Sequence, residues 1–370
     1  MKSLSTNNLF KNCIDATEDP HLCEKIKNDI SNSKYYERIV VIVIDALRAD
    51  FIPSISFNSE FNTTLPFTEA LIKNKTAMSF IKKVHSPTVT MPRIRTLATG
   101  DISNFMDALT NLDASELNED SILYQAQLNN LKSIFYGDET WLKLFPNLFI
   151  RSEGTHSFFV TDYQEVDTNV TRHLKLELSK KDWDIMILHY LGVDHIGHAY
   201  GPYSDLLPIK LKEMDEVIKY VYYELKRESE MQSLIVICGD HGMTAAGSHG
   251  GITKSELLTP LIFINTNSSE FHSKDSINMV DQVDFVPTLS RGIENYTLHL
   301  QFDKLYAFKR IQSTFLKIFN YKKENTEEVN NNDNNTPFAR NTAASSNCIN
   351  YEVACEVLVH SNNTPCYYPP

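Results

Sequence analysis

Five short, nearly unbroken apolar runs constrain this chain more than anything else in it. They are RIVVIVID (38–45), LKSIFYG (131–137), WDIMILHYLG (183–192), QSLIVICGD (232–240) and TPLIFIN (259–265). A strand with one face in water alternates polar and apolar residues. A run that stays apolar is buried on both faces, as in a parallel sheet covered by helices. Segments with helical spacing lie between the runs, at 66–75, 92–99, 120–130, 167–180, 205–228 and 284–290. The β-α-β-α order predicts an α/β fold, a doubly wound and mostly parallel sheet with helices on both faces. At 42% hydrophobic residues, 370 residues can fill a core of that kind.

The organisation follows the same pattern. Residues 1–37 are polar and read as a peripheral segment, and 38–290 form the α/β body. In 291–323, LHLQFDKLYAFKRIQSTFLKIF (298–319) has the spacing of an amphipathic helix docked on a protein surface. The 324–370 tail begins with a stretch rich in Asn, Glu, Thr and Ser, which buries too little surface to fold, so the tail is expected to be disordered. A net charge of -12 argues against nucleic-acid binding, which needs a basic footprint. The first twenty residues lack the apolar core of an ordinary signal peptide. No stretch approaches the ~18 apolar residues of a membrane span, so the chain as written reads as soluble.

Compartment is addressed by two further features. None of the six cysteines forms a CxxC pair, which argues against a zinc ribbon or a thioredoxin-like site. Cys13, Cys23, Cys348, Cys355 and Cys366 lie towards the ends and suit an oxidising compartment, with their pairing left open. Cys238, inside an apolar run, reads as a small buried residue. Asn62, Asn74, Asn169, Asn267, Asn295, Asn334 and Asn362 each head an Asn-X-Ser/Thr sequon, in keeping with a secreted or lumenal chain.

Ligands of open α/β sheets gather beyond the carboxyl ends of the strands. There this sequence places Asp45, then Asp194, His195 and His198 in DHIGH, then Asp240 and His241 in GDHGM, with His249 following in GSHGG. Any one of these is ordinary alone: an Asp after a strand is usually a turn or a cap. Three such groups at strand ends point to a metal site. Asp and His suit zinc, with manganese or magnesium fitting the His-rich position less well. The set divides into two ions, one completed by a nucleophile. HSPTVTMPRIRTLATG (85–100) offers that nucleophile in Thr90, with Pro92 placed as the first helical residue and backbone N–H groups aimed at an anion. Alone, Thr90 reads as a helix cap. Beside metal ligands, whose charge makes an alkoxide accessible, it reads as catalytic.

At this point a resemblance becomes specific. VVIVIDALRADF, SPTVTMPRIRTLATG, HYLGVDHIGHAYGP and CGDHGMTAAGSHGG resemble the motifs of the alkaline phosphatase superfamily, in its nucleotide pyrophosphatase/phosphodiesterase branch. FYGDETWLKLFP (135–146), TVTMPR and SFFVTDYQEVDTNVTRH (157–173) resemble the ethanolamine phosphate transferases that modify glycosylphosphatidylinositol (GPI) anchors, and most of all the enzyme acting on the second mannose. The resemblance covers about 38–290. It implies one metal held by Asp45, Thr90, Asp240 and His241, and a second held by Asp194, His198 and His249, both zinc-like. Arg93 and the Gly137–Glu139 segment, with Asp138, are weaker substrate-binding candidates, and His195 is expected to shape its loop. Trp141 and Phe145 are read as core in preference to lipid or glycan contacts.

The resemblance further implies a reaction. Phosphoethanolamine passes from phosphatidylethanolamine to Thr90, and then to a mannose hydroxyl of the GPI precursor, on the lumenal side of the endoplasmic reticulum. A small stabilising membrane subunit is implied as a partner. The family joins this domain to membrane spans and follows the segment matching VDFVPTLS with a longer stretch. Here SRGIENYTLHL follows at once and no span is present, so the sequence reads as a fragment, an aberrant gene model or a shortened paralogue. Two rival readings remain: a soluble metal-dependent phosphodiesterase with water as acceptor, and a catalytically silent paralogue kept for binding.

Overall fold

A computed structural model describes residues 36–293, apart from 57–58, 63, 103–119, 158, 229–230 and 267–277. The amphipathic segment, the tail, the five terminal cysteines and the sequons at Asn267, Asn295, Asn334 and Asn362 lie outside the described residues.

The expected α/β fold is present. Eight strands form one sheet: β1 (Arg38–Ile44), β2 (Ala77–Lys83), β3 (Ser133–Asp138), β4 (Arg151–Thr155), β5 (Ile185–Tyr190), β6 (Ser233–Cys238), β7 (Leu258–Asn265) and β8 (Asn278–Asp281). Their order across the sheet is β4-β3-β5-β1-β6-β7-β2-β8. The first strand is therefore central, between β5 and β6, and parallel to both. β5, β3 and β4 lie on one side of it, and β6, β7, β2 and β8 on the other. Ligands of open α/β sheets bind beyond the carboxyl ends of such strands.

Alternation along β1 shows how two cores are built. Val40, Ile42 and Ile44 point into one apolar cluster, and Ile39, Val41 and Val43 into the other. The first cluster is covered by α1 (Pro66–Lys73), α5 (Glu165–Ser179), α6 (Gly192–Tyr200) and α7 (Leu206–Arg227). The second is covered by α2 (Thr90–Thr99), α3 (Ile122–Leu128), α4 (Thr140–Leu144) and α9 (Phe285–Ile293), while the short α8 (Lys254–Leu257) precedes β7. On α7, Leu207, Leu211, Met214, Ile218, Val221 and Leu225 recur at three and four residues and are all buried. Each such side chain contributes roughly 1.5–3 kcal/mol on burial.

Several expectations change. TPLIFIN, read among the parallel strands, is β7 and runs antiparallel to both β6 and β2. Burial on both faces is blind to strand direction. The connection through residues 239–257 contains only the one-turn α8, with no helix long enough to cross the sheet and return a parallel strand. β2, β4 and β8 carried no recognisable run. β4 reads RSEGT on the sheet edge, and β2 buries Lys82 among apolar neighbours. Tyr36, assigned to the peripheral segment, is buried against the second core. No helix among the described residues is long and apolar enough to cross a membrane.

Candidate metal centre

Four loops at the carboxyl ends of β1, β5 and β6 and at the start of α2 converge on one place. Asp45 follows β1 directly and is buried. The turn after it is fixed by Ala46, whose left-handed backbone (φ 57) lets its N–H donate to Asp240 Oδ1 at 3.2 Å. That conformation costs a non-glycine residue about 1–2 kcal/mol, and it ties the end of β1 to the loop after β6.

Thr90 is the first residue of α2, not two residues before it: Pro92 stands third in the helix, where it was expected to be first. Val89 is the N-cap and makes no side-chain cap bond. The Thr90 hydroxyl is thus free of capping duty. Its Oγ1 donates to Asp45 Oδ2 at 3.3 Å and lies 3.3 Å from His241 Nε2. His241 Nε2 is in turn 3.4 Å from Asp45 Oδ1 and 3.3 Å from Asp240 Oδ2. Asp45, Thr90, Asp240 and His241 therefore share one cluster.

The second group is organised by a helix that the sequence reading placed in a loop. DHIGH lies within α6, where Asp194 and His198 are four residues apart on one face. His198 Nε2 is 3.4 Å from Asp194 Oδ2 and 2.9 Å from His249 Nε2, and His249 Nε2 is 3.6 Å from Asp194 Oδ1. The ligand atoms of these three residues lie within 4.8 Å of one another. Glycine makes the approach possible: Gly247 has φ +75, and a Cβ there would lie 1.8 Å from Gly197 O, inside α6. The clusters abut, with the His241 and His249 rings stacked at 4.1 Å between centroids.

Ring orientation suits cation binding. His241 Nδ1 bonds the Gly242 carbonyl at 2.9 Å, and His249 Nδ1 bonds the Thr88 carbonyl at 2.8 Å. A carbonyl only accepts, so each Nδ1 carries the proton and each Nε2 turns a lone pair to the centre. Burial lowers the pKa of His241, His198 and His249, the last to about 4, so all three rings are held neutral. The carboxylates are strained the other way. Burial, and then the charge of Asp240, raises Asp45 well above the ordinary range, and burial with Asp45 and Asp240 does the same to Asp194. Burial opposes ionisation of Asp240 too, but the His241 and His189 rings and the N–H groups of His241 and Ala46 outweigh it and hold Asp240 low. Asp45 Oδ1, Asp194 Oδ1 and Asp240 Oδ2 are buried without hydrogen-bond partners. Three converging carboxylates with orphaned oxygens and inward imidazole lone pairs fit the binding of divalent cations.

The remaining candidates have structural partners. His195 bonds the carbonyls of Asp162 at 2.6 Å and Ser157 at 3.1 Å, and so shapes that loop. Arg93 is fully buried, with its Nη1 on Gln282 Oε1 at 3.1 Å and its Nε and Nη2 without hydrogen-bond partners. Asp138 ends β3 and accepts from Thr140 N at 2.8 Å and Thr140 Oγ1 at 2.7 Å, while its charge still raises Asp45 and Asp194. Trp141 and Phe145 are buried, as core residues.

Two residues were missed. Asp167 of α5 accepts the N–H groups of Leu191 and Gly192 at 3.0 Å each, seating the start of α6, and pairs with Lys210 at 3.1 Å. Asp167 lies in the SFFVTDYQEVDTNVTRH motif, but nothing there assigns it a role. His189 does have a signal: it is the histidine inside the fully buried IMILHY strand. Its Nε2 lies 3.4 Å from Asp45 Oδ2.

Known proteins resemble this chain in sequence and in fold. The family described as type I phosphodiesterase/nucleotide pyrophosphatase matches residues 136–298. The human protein named GPI ethanolamine phosphate transferase 2, catalytic subunit, is 46% identical over 262 residues, which are 69% of this chain and 26% of that relative. The chain thus spans about a quarter of that protein's length. Among solved structures, the C-terminal periplasmic domain of EcEptC from Escherichia coli, in complex with zinc, matches with a TM-score of 0.53 at 14% identity, covering 71% of this chain and 85% of that one. A protein of the alkaline phosphatase superfamily from Vibrio parahaemolyticus matches with a TM-score of 0.52 at 16% identity, covering 73% and 69%. The chain therefore has the α/β fold of the alkaline phosphatase superfamily, and over 69% of its length its sequence is similar to that of a GPI ethanolamine phosphate transferase 2.

Proposed function

We propose that this chain carries the catalytic centre of a metal-dependent phosphoethanolamine transferase, with Thr90 as nucleophile. The observation that carries the reading is the position of Thr90 Oγ1. It stands at a helix start, 3.3 Å from both Asp45 Oδ2 and His241 Nε2, beside the Asp194/His198/His249 cluster. Asp45, Asp240 and His241, with Thr90, would hold one divalent ion, and Asp194, His198 and His249 the other. When bound, such ions supply Lewis-acid charge stabilisation and lower the pKa of a coordinated hydroxyl. Zinc is supported by the ligand types and by the zinc complex of the Escherichia coli domain.

In this reading the Thr90 hydroxyl loses its proton and Oγ1 attacks the phosphorus of phosphatidylethanolamine in line. The bond from phosphorus to the diacylglycerol oxygen breaks, and that oxygen takes up a proton. Phosphoethanolamine is left on Thr90. A mannose hydroxyl of the GPI precursor, the second mannose by resemblance, then attacks from the side that diacylglycerol vacated, and Thr90 is released. In this reading the work is done at the endoplasmic reticulum, on the lumenal side by resemblance, where the longer relatives would contribute membrane segments and a small stabilising subunit. The body at 38–290 carries the chemistry.

A second reading, hydrolysis of a phosphodiester with water as acceptor, is favoured by the match to the phosphodiesterase/nucleotide pyrophosphatase family. Incubation with phosphatidylethanolamine labelled in the headgroup, with and without a mannosylated GPI precursor, separates the two. Label moving to the glycan supports transfer. Rapid release of free phosphoethanolamine, unaffected by the glycan, would replace transfer by hydrolysis.

A further inference from the structure

FYGDETW (135–141) is a motif that the proposed mechanism leaves unused, and in the structure two of its residues meet at His189. Gly137 has φ +146, and a Cβ there would lie 2.4 Å from His189 O and 2.7 Å from His189 Cβ. Only glycine lets β3 lie so close to that point of β5. Trp141, buried in α4, directs its indole Nε1 to His189 Nδ1 at 3.0 Å. The indole nitrogen can only donate, so Nδ1 is the acceptor and the proton of the neutral ring sits on Nε2. That Nε2 is buried, makes no hydrogen bond in this structure, and lies 3.4 Å from Asp45 Oδ2.

By distance alone, Asp45, His189 and Asp240 form a metal-ligand triplet, with ligand atoms within 4.8 Å. The hydrogen-bond pattern argues otherwise. His241 and His249 donate through Nδ1 to carbonyls and keep an Nε2 lone pair for a cation. His189 is wired in reverse: both of its lone-pair positions are committed, one to the tryptophan and one to a proton. Binding a cation through Nε2 would require an imidazolate.

We propose that His189 is a positioning residue, fixed by Trp141 and seated by Gly137, that donates Nε2–H to Asp45 Oδ2 and thereby presents Asp45 Oδ1 to the Asp240/His241 side of the centre. Hydrogen-bond partners of metal-ligating carboxylates act in this way, and removing one typically weakens metal binding about 10–100-fold. The inference rests on the reading of Asp45 as a metal ligand, and the test separates the two.

Zinc stoichiometry and affinity are measured on the full chain by competition with a chromogenic chelator, for wild type, Asp45→Ala, His189→Gln, His189→Leu and Trp141→Phe. His189→Gln keeps an N–H near the Nε2 position, and Trp141→Phe keeps the aromatic packing without the donor, so both report even if His189→Leu fails to fold. The expected result is two zinc equivalents in wild type, one lost in Asp45→Ala, and both kept in His189→Gln with affinity within a few-fold. In His189→Leu and Trp141→Phe the equivalent that Asp45→Ala loses binds about 10–100-fold more weakly. Loss of a full equivalent in His189→Gln, with Trp141→Phe unchanged, would make His189 a ligand and overturn the proposal. His189→Leu and Trp141→Phe binding as wild type, while Asp45→Ala loses an equivalent, would overturn it too but leave the metal centre standing. No zinc in wild type would remove both.

Discussion

Thr90 illustrates how little a single residue says by itself. In the sequence it is a helix-start threonine, for which capping is the ordinary role. In the structure the cap position belongs to Val89, and the Thr90 hydroxyl turns to Asp45 and His241. The buried carboxylates make the charge problem explicit. Without cations, Asp45 and Asp194 are stable in their protonated form, because burial and neighbouring carboxylates raise their pKa. They contribute stability at low pH that is lost as pH rises through those raised values. His249, lowered to about 4, works oppositely, as do His198 and His241: its contribution is present above the ordinary histidine pKa of about 6.5 and is lost as pH falls towards its folded value. Metal binding takes neutral imidazoles and ionised carboxylates and so releases protons. The zinc-induced rise in Tm is accordingly expected to be larger near pH ~8 than near pH ~5.5, measured by differential scanning fluorimetry. An equal rise at both would mean that the carboxylates stay ionised without the metal. Asp194→Asn and Asp240→Asn are each expected to lose one bound metal together with activity, which elemental analysis of the purified variants checks.

At the scale of elements, the site depends on helices pinned by acidic side chains from other helices. Asp167 of α5 accepts the first N–H groups of the α6 segment that carries Asp194 and His198. Asp167→Ala leaves those buried donors without their acceptor and Lys210 with Glu213 alone. It is expected to cost about 3–5 kcal/mol, as when one partner of a buried ion pair is removed, and to weaken metal binding at the Asp194/His198/His249 cluster first. Unfolding by urea and zinc competition report the two effects separately. Asp215 plays the same part for α1, which lacks a side-chain N-cap of its own: it accepts from Phe67 N at 2.6 Å, Thr68 N at 2.9 Å and Thr68 Oγ1 at 2.7 Å. Asp215→Ala is expected to lower stability by about 1–3 kcal/mol with metal content unchanged, because α1 supplies no ligand. The central strands were legible because they are buried on both faces, and the ligands because they end those strands. β4 and β8 were not, since edge strands such as RSEGT owe their structure to pairing and not to composition. The antiparallel course of β7 was hidden for the reason that made it visible as a strand, and α6 was hidden by the polar residues that make it functional. His189 was legible in principle, as a polar residue in a strand buried at every position.

Across the whole molecule, the sheet order explains why residues from opposite ends of the described region share one centre. Placing β1 between β5 and β6 brings Asp45 beside the loops that carry Asp194 and Asp240, and the long connection to α2 returns Thr90 to the same edge. The proposed covalent chemistry needs only that edge, which belongs to the part of the chain similar to the much longer transferases. The most direct test of the central claim is to trap the intermediate. Full-length protein loaded with zinc is mixed with phosphatidylethanolamine in detergent micelles without a glycan acceptor, quenched in acid and digested, and the peptide containing Thr90 is examined by mass spectrometry. The account predicts phosphoethanolamine on Thr90 in wild type, and no adduct and no turnover in Thr90→Ala, with its fold and most of its metal retained. Near-normal turnover in Thr90→Ala, or wild-type turnover with the adduct on another residue, would contradict it.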